Sequence, residues 1–233
     1  AFIRVNIISD TLMQGLTDRI SARLSSVERN CTVDFSNNIN LSPTENPKRI
    51  DEPSDVTQGK LVMGFVSSLC GNDKDTVPLM LMSDIFGGGP YSRLFSNVRE
   101  KMSLCYYCAA RTVRVKGLLT VESGVEKENI EKTEKAVLEQ LEIMKQGGFT
   151  DFEFESSKKS CIDSINTYND SQALLDTWYS LKIFDGSPAE PETLSRLING
   201  VTKEEIVNAA QGIKLHTVFR LLPKEADMGG QTK

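Results

Sequence analysis

Histidine is nearly absent from this chain: its 233 residues include one, His216. A single imidazole cannot build a site that needs two of them on one metal ion. Long apolar runs are missing too. No stretch approaches the roughly 20 residues that span a bilayer, and the start shows no basic segment followed by an apolar signal core. A soluble, cytoplasmic chain with no membrane partner is the expectation. Basic excess is also lacking, since 27 Lys and Arg stand against 32 Asp and Glu for a net charge of −5. Nucleic acid is therefore a poor partner, because binding along a phosphate backbone is driven by cationic side chains. The cysteines, Cys31, Cys70, Cys105, Cys108 and Cys161, are odd in number and scattered. That is unlike the disulfide framework of a small secreted domain, and reduced thiols are expected. No short-period repeat and no low-complexity tract is present.

Hydrophobic residues make up 39% of the chain, enough to bury a sizeable core. Phe2 to Ser9 reads as a strand, and Leu12, Leu16, Ile20 and Leu24 place a helix over Thr11 to Val27. Residues Ser36 to Gln58 are rich in Asn, Pro, Ser, Asp and Glu and read as a solvated connection. A strand follows at Lys60 to Ser68, and then a buried helix at Asp75 to Phe86. Gly87 to Pro90 reads as a sharp turn, Ser92 to Met102 as a helix, and Leu104 to Val113 with Gly117 to Val125 as paired strands. Ile130, Val137, Leu141 and Met144 form one face of a helix that Gly147 and Gly148 close. Helices are expected at Asp151 to Tyr168, Ser171 to Phe184 and Thr202 to Ala210, the last opened by a Thr202/Glu205 capping box. A last strand is expected at Thr217 to Leu222, ahead of a polar tail at Glu225 to Lys233. The order gives an α+β fold of antiparallel sheets flanked by helices over residues 1–224, divisible into lobes at about 1–125 and 126–224.

The most distinctive segment runs from Gly87 to Tyr106: three glycines, Pro90, Tyr91, Ser92-Arg93-Leu94-Phe95, then Arg99-Glu100-Lys101, then Leu104-Cys105-Tyr106. Gly87, Gly88 and Gly89 suggest backbone angles closed to other residues, and Ser92 stands where a helix cap belongs. A plain helix-to-helix turn accounts for this. A phosphate-cradling loop lacks its Lys-Ser/Thr, and no clear dinucleotide fingerprint is present.

This segment resembles the motif in the second half of pitrilysin/insulinase-type zinc metallopeptidases, mitochondrial processing peptidase among them. The element order that follows is similar over nearly the whole chain. The resemblance implies a duplicated α+β half-molecule that closes on a partner half like a clamshell around a peptide. In that family the first half carries His-x-x-Glu-His and a distal Glu, which this chain cannot supply. It implies no metal and no catalytic residue of its own here, with zinc in a catalytic half or partner chain, pairing as a hetero- or homodimer. Ala1 starts at a strand without an initiator Met, which suggests that a first half lies elsewhere. The resemblance also assigns the second half an Arg and a Tyr seven residues later that reach the substrate, here Arg99 and Tyr106, with backbone contacts from Gly87, Gly88 and Gly89. Without it, a surface ion pair for Arg99 and a sheet aromatic for Tyr106 explain both residues.

Two other readings remain. The same fold can serve as a non-enzymatic scaffold. Cys105 and Cys108 have the spacing of a redox motif, though without a thioredoxin-like context or a second Cys pair for a zinc knuckle. His216 in a strand, the charged face of Lys127 to Glu142, and Trp178 and Tyr179 read as packing or solvated positions.

Overall fold

The computed structural model describes residues 3, 5–9, 11, 13–28, 42–71, 73–181 and 190–224. The elements run α1 (Leu16–Ser25), β1 (Lys48–Ser54), β2 (Gly59–Ser67), α2 (Asp73–Gly87), a π-helix (Leu94–Lys101), β3 (Tyr107–Val113) and β4 (Leu118–Val125). They continue through α3 (Ile130–Lys145), α4 (Asp151–Asn166), α5 (Gln172–Leu181), α6 (Pro191–Gly200), α7 (Lys203–Gln211) and β5 (Ile213–Pro223). The strands form one five-stranded sheet in the order β1-β5-β2-β4-β3. Every pairing is antiparallel except β1 with β5, which is parallel. β5, from the end of the chain, lies between β1 and β2, so residues on both sides of position 125 build the same sheet.

Strand alternation sets the core. Leu61, Met63 and Phe65 of β2, Leu119 and Val121 of β4 and Val218 of β5 are fully or almost fully buried. They belong to one cluster with Leu79, Leu81, Met82, Ile85 and Phe86 of α2, and with Val137 and Met144 of α3. Alternate strand positions such as Lys60 and Glu122 are exposed, the pattern of a sheet covered on one face. α3 ends in a Schellman motif: Gly147, at φ 76, donates to the Met144 carbonyl and Gly148 to that of Ile143. α7 opens with the expected Thr202/Glu205 capping box, and α4 with a second one, Thr150/Glu153.

Several expectations are corrected. The described residues of the Phe2 to Ser9 stretch join no strand. Lys48–Ser54, inside the expected connection, is edge strand β1, whose largely exposed side chains give no apolar alternation. Its Pro53 is tolerated because one side of an edge strand needs no ladder donor. The expected α+β arrangement of a helix-flanked sheet is present, with the described strands in one sheet whose β1–β5 pair alone is parallel. The tail 225–233 lies outside the described residues.

An ion cluster ties the far side of the sheet to α3. Glu134, with its side chain 7% exposed, accepts from Arg49 of β1 at 2.6 and 3.1 Å and from Arg220 of β5 at 2.7 Å. Burial pushes the Glu134 carboxyl up, but hydrogen bonds and charge from Arg49 and Arg220 more than offset it and hold the group below its ordinary value. A depressed folded-state value stabilises the fold above the unfolded carboxylate pKa, about 4.3, and that contribution is lost as pH falls through the folded value. Glu134→Gln should therefore destabilise the protein by about 2 kcal/mol at neutral pH, since it takes the hydrogen-bonded carboxylate from the mostly buried Arg220 guanidinium and leaves it only the longer contacts to Asp51 and Glu131. In thermal melts the gap between variant and parent should narrow as pH drops below about 4. A gap unchanged between pH 7 and pH 3 would contradict this.

Candidate functional site

α2 runs into the glycine turn because its last residue, Gly87, meets the sheet where no side chain fits. A Cβ there would lie 2.5 Å from the Ala110 nitrogen and 2.7 Å from the Ala110 Cβ. At Gly88 a Cβ would meet Asp84 at 2.0 Å, and at Gly89 the Tyr91 ring at 3.0 Å. None of the three has a positive φ. The expectation of special backbone angles is thus corrected: glycine is needed here for close approach. Ser92 does not cap the next helix either. Its hydroxyl is buried with no partner among the described residues, and Arg93 is the N-cap residue.

The helix after the turn is wound wide. Met102 donates to the Asn97 carbonyl five residues back, and Ser103 then adopts a positive φ of 50°. Insertions of π geometry frequently mark functional positions. Arg93, at the helix start, faces inward. Its Nε and Nη2 donate to Gln140 at 3.2 and 2.9 Å, and its Nη1 to the Gly148 carbonyl at 2.5 Å, with Glu153 3.4 Å away. This anchors the helix to α3, the α3–α4 turn and α4. Asp84 accepts from the Tyr91 hydroxyl at 2.7 Å and fixes the turn from below; burial raises both groups above their ordinary values.

With its base fixed, the helix presents Arg99 outward. The Arg99 Nε donates to the Tyr106 carbonyl at 2.8 Å, Nη1 pairs with Glu100 at 2.8 Å, and the guanidinium lies 4.6 Å from the centre of the Phe95 ring. Cation–π contact and two hydrogen bonds orient the side chain while leaving it 38% exposed. The Tyr106 hydroxyl donates to Glu126, and the residue is 59% exposed. That hydrogen bond, with the Glu126 charge, raises the phenol above its ordinary value, so Tyr106 stays a donor at neutral pH.

All five residues singled out from the sequence line one open cleft of about 310 Å³: Gly87, Gly88, Gly89, Arg99 and Tyr106, joined by Phe95 and the β3 residues Tyr107 to Ala109. β3 is an edge strand of the described sheet. Phe95 was not singled out from the sequence; its spacing, four before Arg99, was the available signal. The donor set does not fit a metal. His216 bonds its neighbour Thr217 on β5, and among the described residues no three His, Cys, Asp or Glu side chains are grouped to hold an ion.

Residues 16–161 match the family described as the peptidase M16 inactive domain. The chain is 36% identical, over 75% of its own length and 41% of the relative's, to a "Probable inactive metalloprotease YmfF" of Bacillus subtilis. The chain thus spans about two-fifths of that relative. Its fold is similar to a conserved protein of Enterococcus faecalis (TM-score 0.74, 26% identity, covering 81% of this chain and 45% of that one). It is also similar to a peptidase M16 inactive domain from Pseudomonas fluorescens (TM-score 0.70, 20% identity, covering 92% and 52%).

The close approach at Gly87 makes a sharp prediction. Gly87→Ala should destabilise the protein by about 2 kcal/mol, because the methyl group meets backbone that cannot retreat without moving β3. Gly89→Ala, which meets only the end of the Tyr91 ring, should cost less than about half of that. Denaturant midpoints of the two variants compare them directly; equal losses would discount the Ala110 contact.

Proposed function

Because the chain belongs to the peptidase M16 inactive-domain family, we propose that it is the non-catalytic, substrate-binding half of a zinc metalloendopeptidase, with the zinc site held by another half or a partner chain. The observation that carries this reading is the convergence of Arg99, Tyr106 and the glycine turn on one open cleft at an edge strand. An extended peptide can lie along such a rim, its carbonyls within reach of a guanidinium and a phenol. Those donors suit the oxyanion that develops on a scissile carbonyl, where one well-placed donor contributes about 3 kcal/mol. The peptide and the pairing with a chain bearing His-x-x-Glu-His follow from the same reading. The Bacillus subtilis relative's description as a probable inactive metalloprotease favours the second reading, a scaffold of the same fold that binds a partner without proteolysis.

The experiment isolates the full-length protein with whatever co-purifies, identifies any chain carrying His-x-x-Glu-His, and follows cleavage of fluorogenic peptides. Arg99→Ala and Tyr106→Phe should each lower kcat/KM by at least about tenfold, with unchanged melting temperatures, since both side chains are partly exposed. Unchanged turnover in both variants would remove the assignment. No peptidase activity, together with partner-dependent stability, would move the reading to the scaffold.

A further inference from the structure

Cys105 and Cys108 stand apart from the other thiols. The chain bends at Tyr106 before entering β3, so Cys105 sits just outside the ladder and Cys108 inside it. The bend brings the two side chains within interaction range of each other, an approach that an unbent strand, with side chains alternating between faces, does not favour at this spacing. Cys105 is only partly buried. It lines a second open cavity of about 280 Å³ with Arg99, Glu100, Ser103 and Tyr106, while Cys108 lines the glycine cleft. The pair therefore combines an accessible sulfur, a second sulfur in contact behind it, and a neighbouring guanidinium.

We propose that Cys105 and Cys108 form an oxidisable dithiol at the rim of the cleft, in which Cys105 reacts with a hydroperoxide and Cys108 resolves the product to a disulfide. In the first step the Cys105 sulfur takes one peroxide oxygen as the O–O bond breaks, giving a sulfenic acid and, from hydrogen peroxide, water. In the second, the Cys108 sulfur attacks Cys105. The S–S bond forms, the S–O bond breaks, and the hydroxide leaves as water with the Cys108 proton. Two thiols lose two electrons and one peroxide becomes two waters. The hydrogen bond from Cys108, helped by the Arg99 charge, holds the Cys105 thiol below its ordinary value, which favours its thiolate. The other described thiols lack this arrangement: Cys161 is pushed up to about 12, by burial first and the Asp84 charge second.

Oxidation of the two thiols does not depend on peptide binding. The full chain is treated with hydrogen peroxide, its remaining thiols are alkylated, and peptides are mapped by mass spectrometry. A dithiothreitol-reversible bridge between Cys105 and Cys108 is expected. Cys108→Ser should accumulate a dimedone-trappable sulfenic acid on Cys105, formed at least about tenfold faster than oxidation of Cys161. Bridging or sulfenic acid formation mapped instead to Cys31, Cys70 or Cys161, or wild-type Cys105 left unoxidised, would overturn the proposal.

Discussion

The contact between the end of α2 and the backbone of β3 sets the position of everything in the cleft. With no side chain at Gly87, the helix closes to where a Cβ would sit 2.5 Å from the Ala110 nitrogen. Hard-core repulsion is the steepest force in the protein, so this approach admits little adjustment. The glycine turn is thereby held beside β3, and the helix that follows brings Phe95 and Arg99 to the cleft that Tyr106 and Tyr107 also line.

The same helix shows how one residue type serves two ends. Arg93 and Arg99 lie six residues apart, and their environments separate their roles. Arg93, 12% exposed, spends its donors on Gln140, Gly148 and Glu153. Buried guanidinium groups are kept only when their hydrogen bonds are met, and here three elements meet them. Arg99 pairs with Glu100, the Tyr106 carbonyl and the face of Phe95. The first arginine therefore fixes the helix, and the second is held by it in a defined but solvent-facing pose. Wide winding at the helix end supports this division, because an extra residue per turn re-aims the side chains that follow.

Much of this was legible in the sequence where local chemistry and burial agree. The face of Ile130, Val137, Leu141 and Met144, the Thr202/Glu205 box and the glycine pair after α3 follow from periodicity and capping, and the structure has them all. The pitrilysin/insulinase resemblance is likewise shown by the family and fold matches. What failed to show was non-local. β1 carries almost no apolar pattern because it forms a sheet edge, and nothing near Lys48 signals a parallel partner some 170 residues away at Thr217. α6, opened by Pro191, was passed over between two better-marked helices. The glycine turn was recognised for the wrong reason, since composition cannot distinguish a glycine needed for its φ from one needed for its missing Cβ. The five candidate residues do share a cleft.

Both donors in that cleft are already engaged by carboxylates, and this bears on how they would act in the proposed reading. Arg99 is paired with Glu100, and the Tyr106 hydroxyl is bonded to Glu126. A neutral peptide carbonyl is a weaker acceptor than a carboxylate and gains little by displacing one. An oxyanion competes on equal terms, so the donors would transfer to it only as charge accumulates on the reacting oxygen. Interactions that strengthen between ground state and transition state raise turnover, whereas uniform binding lowers KM alone. Glu126 would thus act as a counterweight, holding the Tyr106 hydroxyl in place while withholding it from ground-state carbonyls, and Glu100 would hold the Arg99 guanidinium through one of its nitrogens. In that reading Glu126 would belong to the selectivity of the site.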